Sequence, residues 1–296
     1  MQIAAKANKM TNRTLLLFGL PAYVILLLFF VYPIILTLQL SFTDFRGFGE
    51  ADWVGLKNYA RILSHDRYFQ QFLTTIKYAA FAVVFQTLLG LTFASWLHRM
   101  PRIRNFCRPA LFVPAMLSTV VVAYVWQFIY SPLDGGLNAA LESVGLGNFA
   151  RGWLGSPDTA LYAVVAVHVW MYTGYSTAIF LAGYANISED IDEAGRLDGA
   201  SSWQRFRHLE IPLLAPSFTI AVVLTTIGTL KSFELPFVMT GGGPDRATEL
   251  VSIEIIKQLF NSSRFGFASA LAILMLVVVV AVAAIQNAIL RKNEEI

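Results

Sequence analysis

A chain of 296 residues that is 56% hydrophobic and only 14% charged cannot clothe a water-soluble surface, which draws on a composition of about 25% charged residues. Its formal charge of +3 is spread over short segments between apolar runs, which excludes the single basic face of a nucleic-acid binder. One cysteine, Cys107, excludes an internal disulfide framework and a thiolate metal cluster, and His65, His98, His168 and His208 lack ligand spacing.

A membrane helix needs about 20 mostly apolar residues to cross the hydrocarbon. Six runs meet that length: Leu15–Leu40, Thr74–Trp96, Pro109–Tyr130, Ala160–Tyr184, Ala215–Met239 and Gly266–Leu290. The expected fold is all-α: a polytopic membrane protein with six transmembrane helices over residues 15–290. Residues 1–14 and 291–296 form short flanking segments. Lys6, Lys9 and Arg13 precede the first run as they would a signal peptide. The run is longer than a signal core and lacks a small-residue cleavage site, so it reads as a retained helix. Pro21 and Pro33 inside it are tolerable where neighbours satisfy the freed carbonyls. Gly90 and Gly183 suit close helix contact in lipid. The loop after the second run carries Arg99, Arg102, Arg104 and Arg108 and no acid. The tail carries Arg291 and Lys292, and the loop 131–159 is acid-rich. The excess of basic residues predicts that both termini and the loops after the second and fourth runs are cytoplasmic.

The loop after the fourth run, residues 185–214, is not a plain connector. Residues 191–216 read IDEAGRLDGASSWQRFRHLEIPLLAP. Trp203, Phe206 and Leu209 recur at i, i+3 and i+6, broadly one helix face. Gly199 separates two helical stretches. Asp198 is placed to cap the second, and Pro212 and Pro216 end it. The predicted shape is a helix–turn–helix with an exposed apolar face. Physics alone leaves two roles open: resting on the lipid interface, or docking to another protein.

The spacing Glu193-Ala194, Asp198-Gly199-Ala200 and Pro212 resembles the EAA loop of the membrane subunits of ABC importers. Gly195 stands where the third small residue of that triplet is usual. Trp53-Val-Gly-Leu-Lys-Asn-Tyr59, Arg108-Pro-Ala-Leu-Phe-Val-Pro114 with Trp126, and Thr240-Gly-Gly-Gly-Pro244 with Thr248 resemble the carbohydrate-uptake permeases of the maltose and glycerol-3-phosphate type. The resemblance covers about residues 33–286. It implies the transmembrane domain of a type I ABC importer, with Glu193, Ala194, Asp198, Gly199, Ala200, Trp203, Phe206, Leu209 and Pro212 forming the coupling helix that docks on an ATPase. It implies as partners a second, related permease subunit, two copies of a cytoplasmic ATPase and an extracytoplasmic solute-binding protein. The setting is a prokaryotic cell membrane. No cofactor is expected on this chain. ATP and Mg belong to the ATPase, since no P-loop motif is present.

The same resemblance places sugar contacts just before the TGGGP turn, at Lys231, Ser232 and Glu234, where the family usually has neutral polar residues. Lys231 and Glu234 are the only formal charges deep in a predicted run, and stand i, i+3, so they lie within reach of each other or face a water-filled path. Tyr172, Thr173, Tyr175 and Thr177 on the fourth run add hydroxyls and aromatic faces suited to sugars. No paired carboxylates or nucleophile constellation points to an enzyme. A secondary transporter would need an ion-coupling element, for which only Lys231 and Glu234 are candidates.

Overall fold

The computed structural model describes residues 12–291. The readings placed on Lys6, Lys9 and Lys292 lie outside them. All the regular elements among the described residues are helical. In chain order they are α1 Asn12–Leu26, α2 Tyr32–Ser41, α3 Lys57–Ser64, α4 Asp66–Arg99, α5 Pro101–Met116, α6 Thr119–Ile129, α7 Gly136–Ser143 and α8 Pro157–Tyr184. There follow α9 Glu189–Leu197, α10 Ser202–Arg205, α11 Ile211–Leu213, α12 Ala215–Leu230, α13 Glu234–Thr240, α14 Val251–Ile256 and α15 Phe265–Arg291.

Among the described residues four helices are long and apolar enough to cross a membrane: Gly19–Ser41, α4, α8 and α15. The first includes a π-helical turn, Leu27–Val31, six residues after Pro21. Two further candidates are bent pairs, residues 106–116 with 119–129 at 94° and residues 202–213 with 215–230 at 67°. With each bent pair taken as one span the described residues hold up to six, and two of the expected runs are not straight. The run Pro109–Tyr130 is not one rod, because Leu117 and Ser118 take extended ψ values of 153° and 127° and turn the chain. The run Ala215–Met239 breaks at Lys231–Phe233. Proline explains the second break: Pro236 has no N–H to offer the Ser232 carbonyl four residues back. That carbonyl instead accepts from the Ser252 hydroxyl at 2.6 Å. The exposed carbonyls at the end of α13 are met by Gln127, whose amide donates to Val238 and Met239 at 2.8 and 2.9 Å.

α4 and α8 make the most extensive helix pairing. Gly90 is the reason they approach so closely. A Cβ there would lie 2.5 Å from Ser176 Cβ and 3.0 Å from its backbone carbon. Gly183 makes the equivalent room for Ser217 of α12. Around this joint sits a buried core that includes Tyr78, Val164, Met171, Leu235 and Ile253. The first span packs chiefly through α2 on α15, and only 6% of its apolar window is buried.

Beyond α13 the Gly-rich turn takes left-handed backbone at Gly241 and Gly242, with φ of 62° and 94°. Thr240 and Thr248 close it by sharing a hydroxyl hydrogen bond at 2.6 Å. The following segment folds back as α14 and is pinned by ions. Glu254, fully buried, accepts from Arg67 at 2.7 Å, Gln71 at 3.0 Å and Gln258 at 2.7 Å. Glu249, nearly as buried, accepts from Lys257 at 2.7 Å and Gln71 at 2.9 Å. These bonds fasten the segment to the first turns of α4.

Candidate functional site

A cavity of about 740 Å³ opens between α4, α5, α8, α12 and the α12–α13 break. Helical spacing builds its walls. Tyr172, Tyr175, Ser176 and Ile179 stand at i, i+3, i+4 and i+7 of α8, and Leu224, Gly228 and Lys231 at i, i+4 and i+7 on the α12 side. The break then turns Ser232, Phe233 and Glu234 toward the same space. Aromatic faces are packed against one another around it. Tyr172 and Tyr175 stack at 6.2 Å, and Phe112 meets Tyr175 edge-on at 5.7 Å. A few polar groups set among apolar and aromatic surface is the usual make-up of a small-molecule pocket.

Of the seven residues the sequence marks for a substrate path, Tyr172, Tyr175, Lys231, Ser232 and Glu234 line this cavity. Lys231 and Glu234 are both exposed, and no ion pair within 4 Å joins them. The helix break lies between them, and of the two readings left open by the sequence the pair is not formed: they stand as two single charges on the cavity wall. Thr173 and Thr177 are buried on another face of α8. Their hydroxyls donate to the carbonyls one turn back, of Val169 and Thr173, at 2.5 and 2.9 Å. Neither lines this cavity, and Thr173 borders a separate apolar one.

The cavity also includes Gln86, Thr119 and His168, which sequence reasoning passed over. The Gln86 amide donates to Ser176 at 3.0 Å, Thr225 at 3.2 Å and the Tyr172 carbonyl at 3.3 Å, joining α4, α8 and α12. His168 Nδ1 shares a 2.9 Å hydrogen bond with Tyr78, whose hydroxyl also reaches Ser232 at 3.4 Å. The available signal was an amide and an imidazole inside long apolar runs, where a polar group needs a partner or a task.

The second site is the loop 185–214. Gly199 makes its bend with φ of 76°, a left-handed conformation that costs an L side chain energy. Asp198 does not cap the second helix; it closes the C-terminal end of α9. The cap is Ser201, which accepts from the Gln204 N–H while the Gln204 side chain accepts from the Ser201 N–H. Pro212 stands at the end of the helix, as expected. It is the last residue but one of the continuous stretch 202–213, and the chain turns one residue beyond that, at Leu214. The expected apolar face is divided. Trp203 is 64% exposed, whereas Phe206 and Leu209 are half-buried, Phe206 against the core under α8 and α12. Glu193, Ala194, Asp198 and Gly199 are exposed and Ala200 half-buried. Leu197, 89% exposed, is a second solvent-facing apolar side chain of the loop.

Asp192 staples the two halves of this loop. It accepts from Arg205 Nε and Arg196 Nη2, both at 2.8 Å. Partial burial alone would raise the Asp192 carboxyl, but the two guanidinium partners outweigh it and hold it below the usual carboxylate range. Gly195 lies at the crossing. A Cβ there would meet Leu209 Cδ1 at 2.9 Å and Arg205 Cδ at 3.1 Å. Both are movable side-chain ends, so Gly195→Ala, which restores the triplet, is expected to leave the thermal midpoint within a few degrees. Differential scanning fluorimetry of the purified protein checks this.

Comparison with known proteins bears on both sites. Residues 86–294 match the family described as binding-protein-dependent transport system inner membrane component. The probable ABC transporter permease protein YurN of Bacillus subtilis is 36% identical over 94% of this chain and 96% of its own. The trehalose/maltose transport system permease protein MalF of Thermococcus litoralis is 34% identical over 87% of each. The fold matches a chain in the crystal structure of a bacterial ABC transporter for the acidic polysaccharide alginate, with a TM-score of 0.82, 20% identity, and coverage of 95% of this chain and 96% of that one.

Proposed function

The chain belongs to the family of binding-protein-dependent transport system inner membrane components, multi-pass membrane proteins, and from that premise we propose that it is the permease subunit of an ABC importer that passes a sugar or oligosaccharide across the membrane. The cavity carries the proposal. Stacked tyrosines beside Lys231, Ser232 and Glu234 offer apolar faces for a sugar ring and hydrogen-bonding groups for its hydroxyls. The relatives named for trehalose and maltose and for multiple sugars support the same class. The partners in this reading are a solute-binding protein, a second related permease subunit and two ATPases. ATP and Mg act on the ATPases, and nucleotide-driven closure reaches the cavity through the loop 185–214 as alternating access.

The test is uptake. Proteoliposomes containing the whole complex should accumulate labelled malto-oligosaccharides or trehalose only with ATP inside and the binding protein outside. Accumulation of neither sugar, with uptake of another solute class by the same vesicles, would overturn the sugar assignment.

Two further expectations attach to this reading. Both termini face the cytoplasm, so in a Cys107→Ser background Asp245→Cys should react with an impermeant thiol reagent on intact cells. Labelling confined to lysed cells would invert the topology. The loop is the ATPase docking site, so Gly199→Val or Glu193→Ala should lower binding-protein-stimulated ATP hydrolysis severalfold while sugar binding to the binding protein is unchanged. Normal stimulation in both variants would return the loop to the lipid-surface role.

A further inference from the structure

Chain connectivity ties the loop 185–214 to α8 before it and α12 after it, but not to α4. Its polar tie to α4 is a single carboxylate, set beside the apolar packing of Phe206 against the cluster that holds Leu91, Ala94 and Leu97 of α4. Glu210 Oε1 accepts from Arg99 Nη2 at 3.0 Å, and its Oε2 accepts from the Tyr184 hydroxyl at 2.7 Å. Arg99 is the last residue of α4 and Tyr184 the last of α8. His98 lies flat on the Tyr184 ring, with centroids 4.5 Å apart and planes 14° from parallel. The Glu210 side chain is 15% exposed, while Arg99 is 43% exposed. Both bonds are charge-assisted and directional, and both come from groups at the ends of long helices. On the other side of Glu210 the loop is internally braced, since Asp192 holds Arg196 and Arg205 together. A braced body joined to two helix ends by one fixed polar group and by the packing of Phe206 moves those ends with it.

We propose that Glu210 is a positioning residue that couples the loop to the inner end of α4, so that displacement of the loop is delivered to α4 as well as to α8 and α12. This rests on the reading of the loop as the ATPase docking site. It adds the helix that contributes Gln86 to the cavity, and so gives the loop a non-covalent route to the cavity wall. Ordinary helix capping does not account for the pattern. A cap needs a partner for α4 or for α8, whereas one carboxylate here takes a donor from each.

The experiment uses the assembled complex in nanodiscs, with Cys107 replaced by serine and spin labels at Met100→Cys and Leu197→Cys, both exposed positions. Pulsed dipolar distances are taken without nucleotide and after ATP–vanadate trapping. In the otherwise unaltered protein the distance should be the same in both states, because the two sites travel together. Glu210→Gln and Arg99→Glu should each introduce a nucleotide-dependent shift of about 2 Å or more, the scale of helix shifts in switching assemblies. The charge-swapped pair Arg99→Glu with Glu210→Arg should abolish that shift. A contact that only stabilised the fold would lower the yield of complex without creating the shift. A shift already present before substitution, its absence in the single variants, or no rescue by the swapped pair would each overturn the proposal. ATPase-induced immobilisation of the Leu197→Cys label is read in the same samples. Its absence defeats the docking reading, whereas its presence without the predicted distances defeats only the role of Glu210.

Discussion

Replacing Glu254 with alanine is expected to destabilise the folded protein by about 3–5 kcal/mol, the usual result of removing one partner from a buried ion pair. The carboxylate is fully buried and takes hydrogen bonds from Arg67, Gln71 and Gln258. Without it, Arg67 keeps the 3.8 Å contact with Glu249, the Gln258 amide loses its acceptor, and Gln71 keeps Glu249 alone. The measurement is the thermal midpoint in detergent together with the yield of monodisperse protein. A midpoint unchanged within a degree or two would show that the network contributes nothing. The neighbouring acid gives a pH signature. Burial alone would raise the Glu249 carboxyl, but Lys257, Gln71 and Arg67 together hold it below the usual carboxylate range. A depressed carboxylate contributes stability that is present above its unfolded value and lost as pH falls through its folded value. The midpoint attributable to Glu249 should therefore be flat at neutral pH and decline only from the ordinary carboxylate range downward. Glu249→Gln should remove that part of the decline.

Lys231→Gln and Glu234→Gln are each expected to reduce uptake about tenfold or more, since a hydrogen bond to a charged group is worth about 1.5–3 kcal/mol and about 1.4 kcal/mol is a factor of ten. Both charges line the cavity and neither pairs with the other. ATPase retention should be unaffected, because both residues lie far along the chain from the loop and outside its braced contacts. Uptake is measured as the initial rate over a range of binding-protein concentrations, alongside co-purification of the ATPase. Full uptake in both variants would reduce these side chains to bystanders of the cavity wall.

The long apolar runs and the Gly90 and Gly183 contacts were legible because composition and small residues report directly on lipid exposure and close approach. The helix–turn–helix over residues 189–213 was legible from Gly199. Its cap was misplaced at Asp198, although Ser201 and Gln204 carry the S-x-x-Q spacing of a capping box. The breaks were harder. Apolar content does not distinguish a straight helix from a bent one, and only Pro236 warned that the Ser232 carbonyl would lose its donor. The cavity residues divided by rotation about α8. Tyr172 and Tyr175 face it while Thr173 and Thr177 do not, a distinction that depends on where α4, α5 and α12 pack. Gln86 escaped notice because one amide in an apolar run has no local pattern; its meaning comes from three partners on two other helices.

α4 has 34 residues and, at about 1.5 Å per residue, a length of about 51 Å, well beyond the roughly 30 Å of bilayer hydrocarbon. It holds Arg67 and Gln71 of the buried acid cluster near one end, Gln86 at the cavity midway, and Arg99 on Glu210 at the other end. No proline interrupts it, so it behaves as a stiff rod with a fastening at each tip. Thermodynamic reciprocity then applies along its length. Whatever binding at the Glu249–Glu254 end does to the free energy of engagement at the loop end, engagement at the loop end must do equally to binding at the other. On the proposed reading of the loop as a docking site, one uninterrupted helix links that site, the cavity wall and the buried acid cluster.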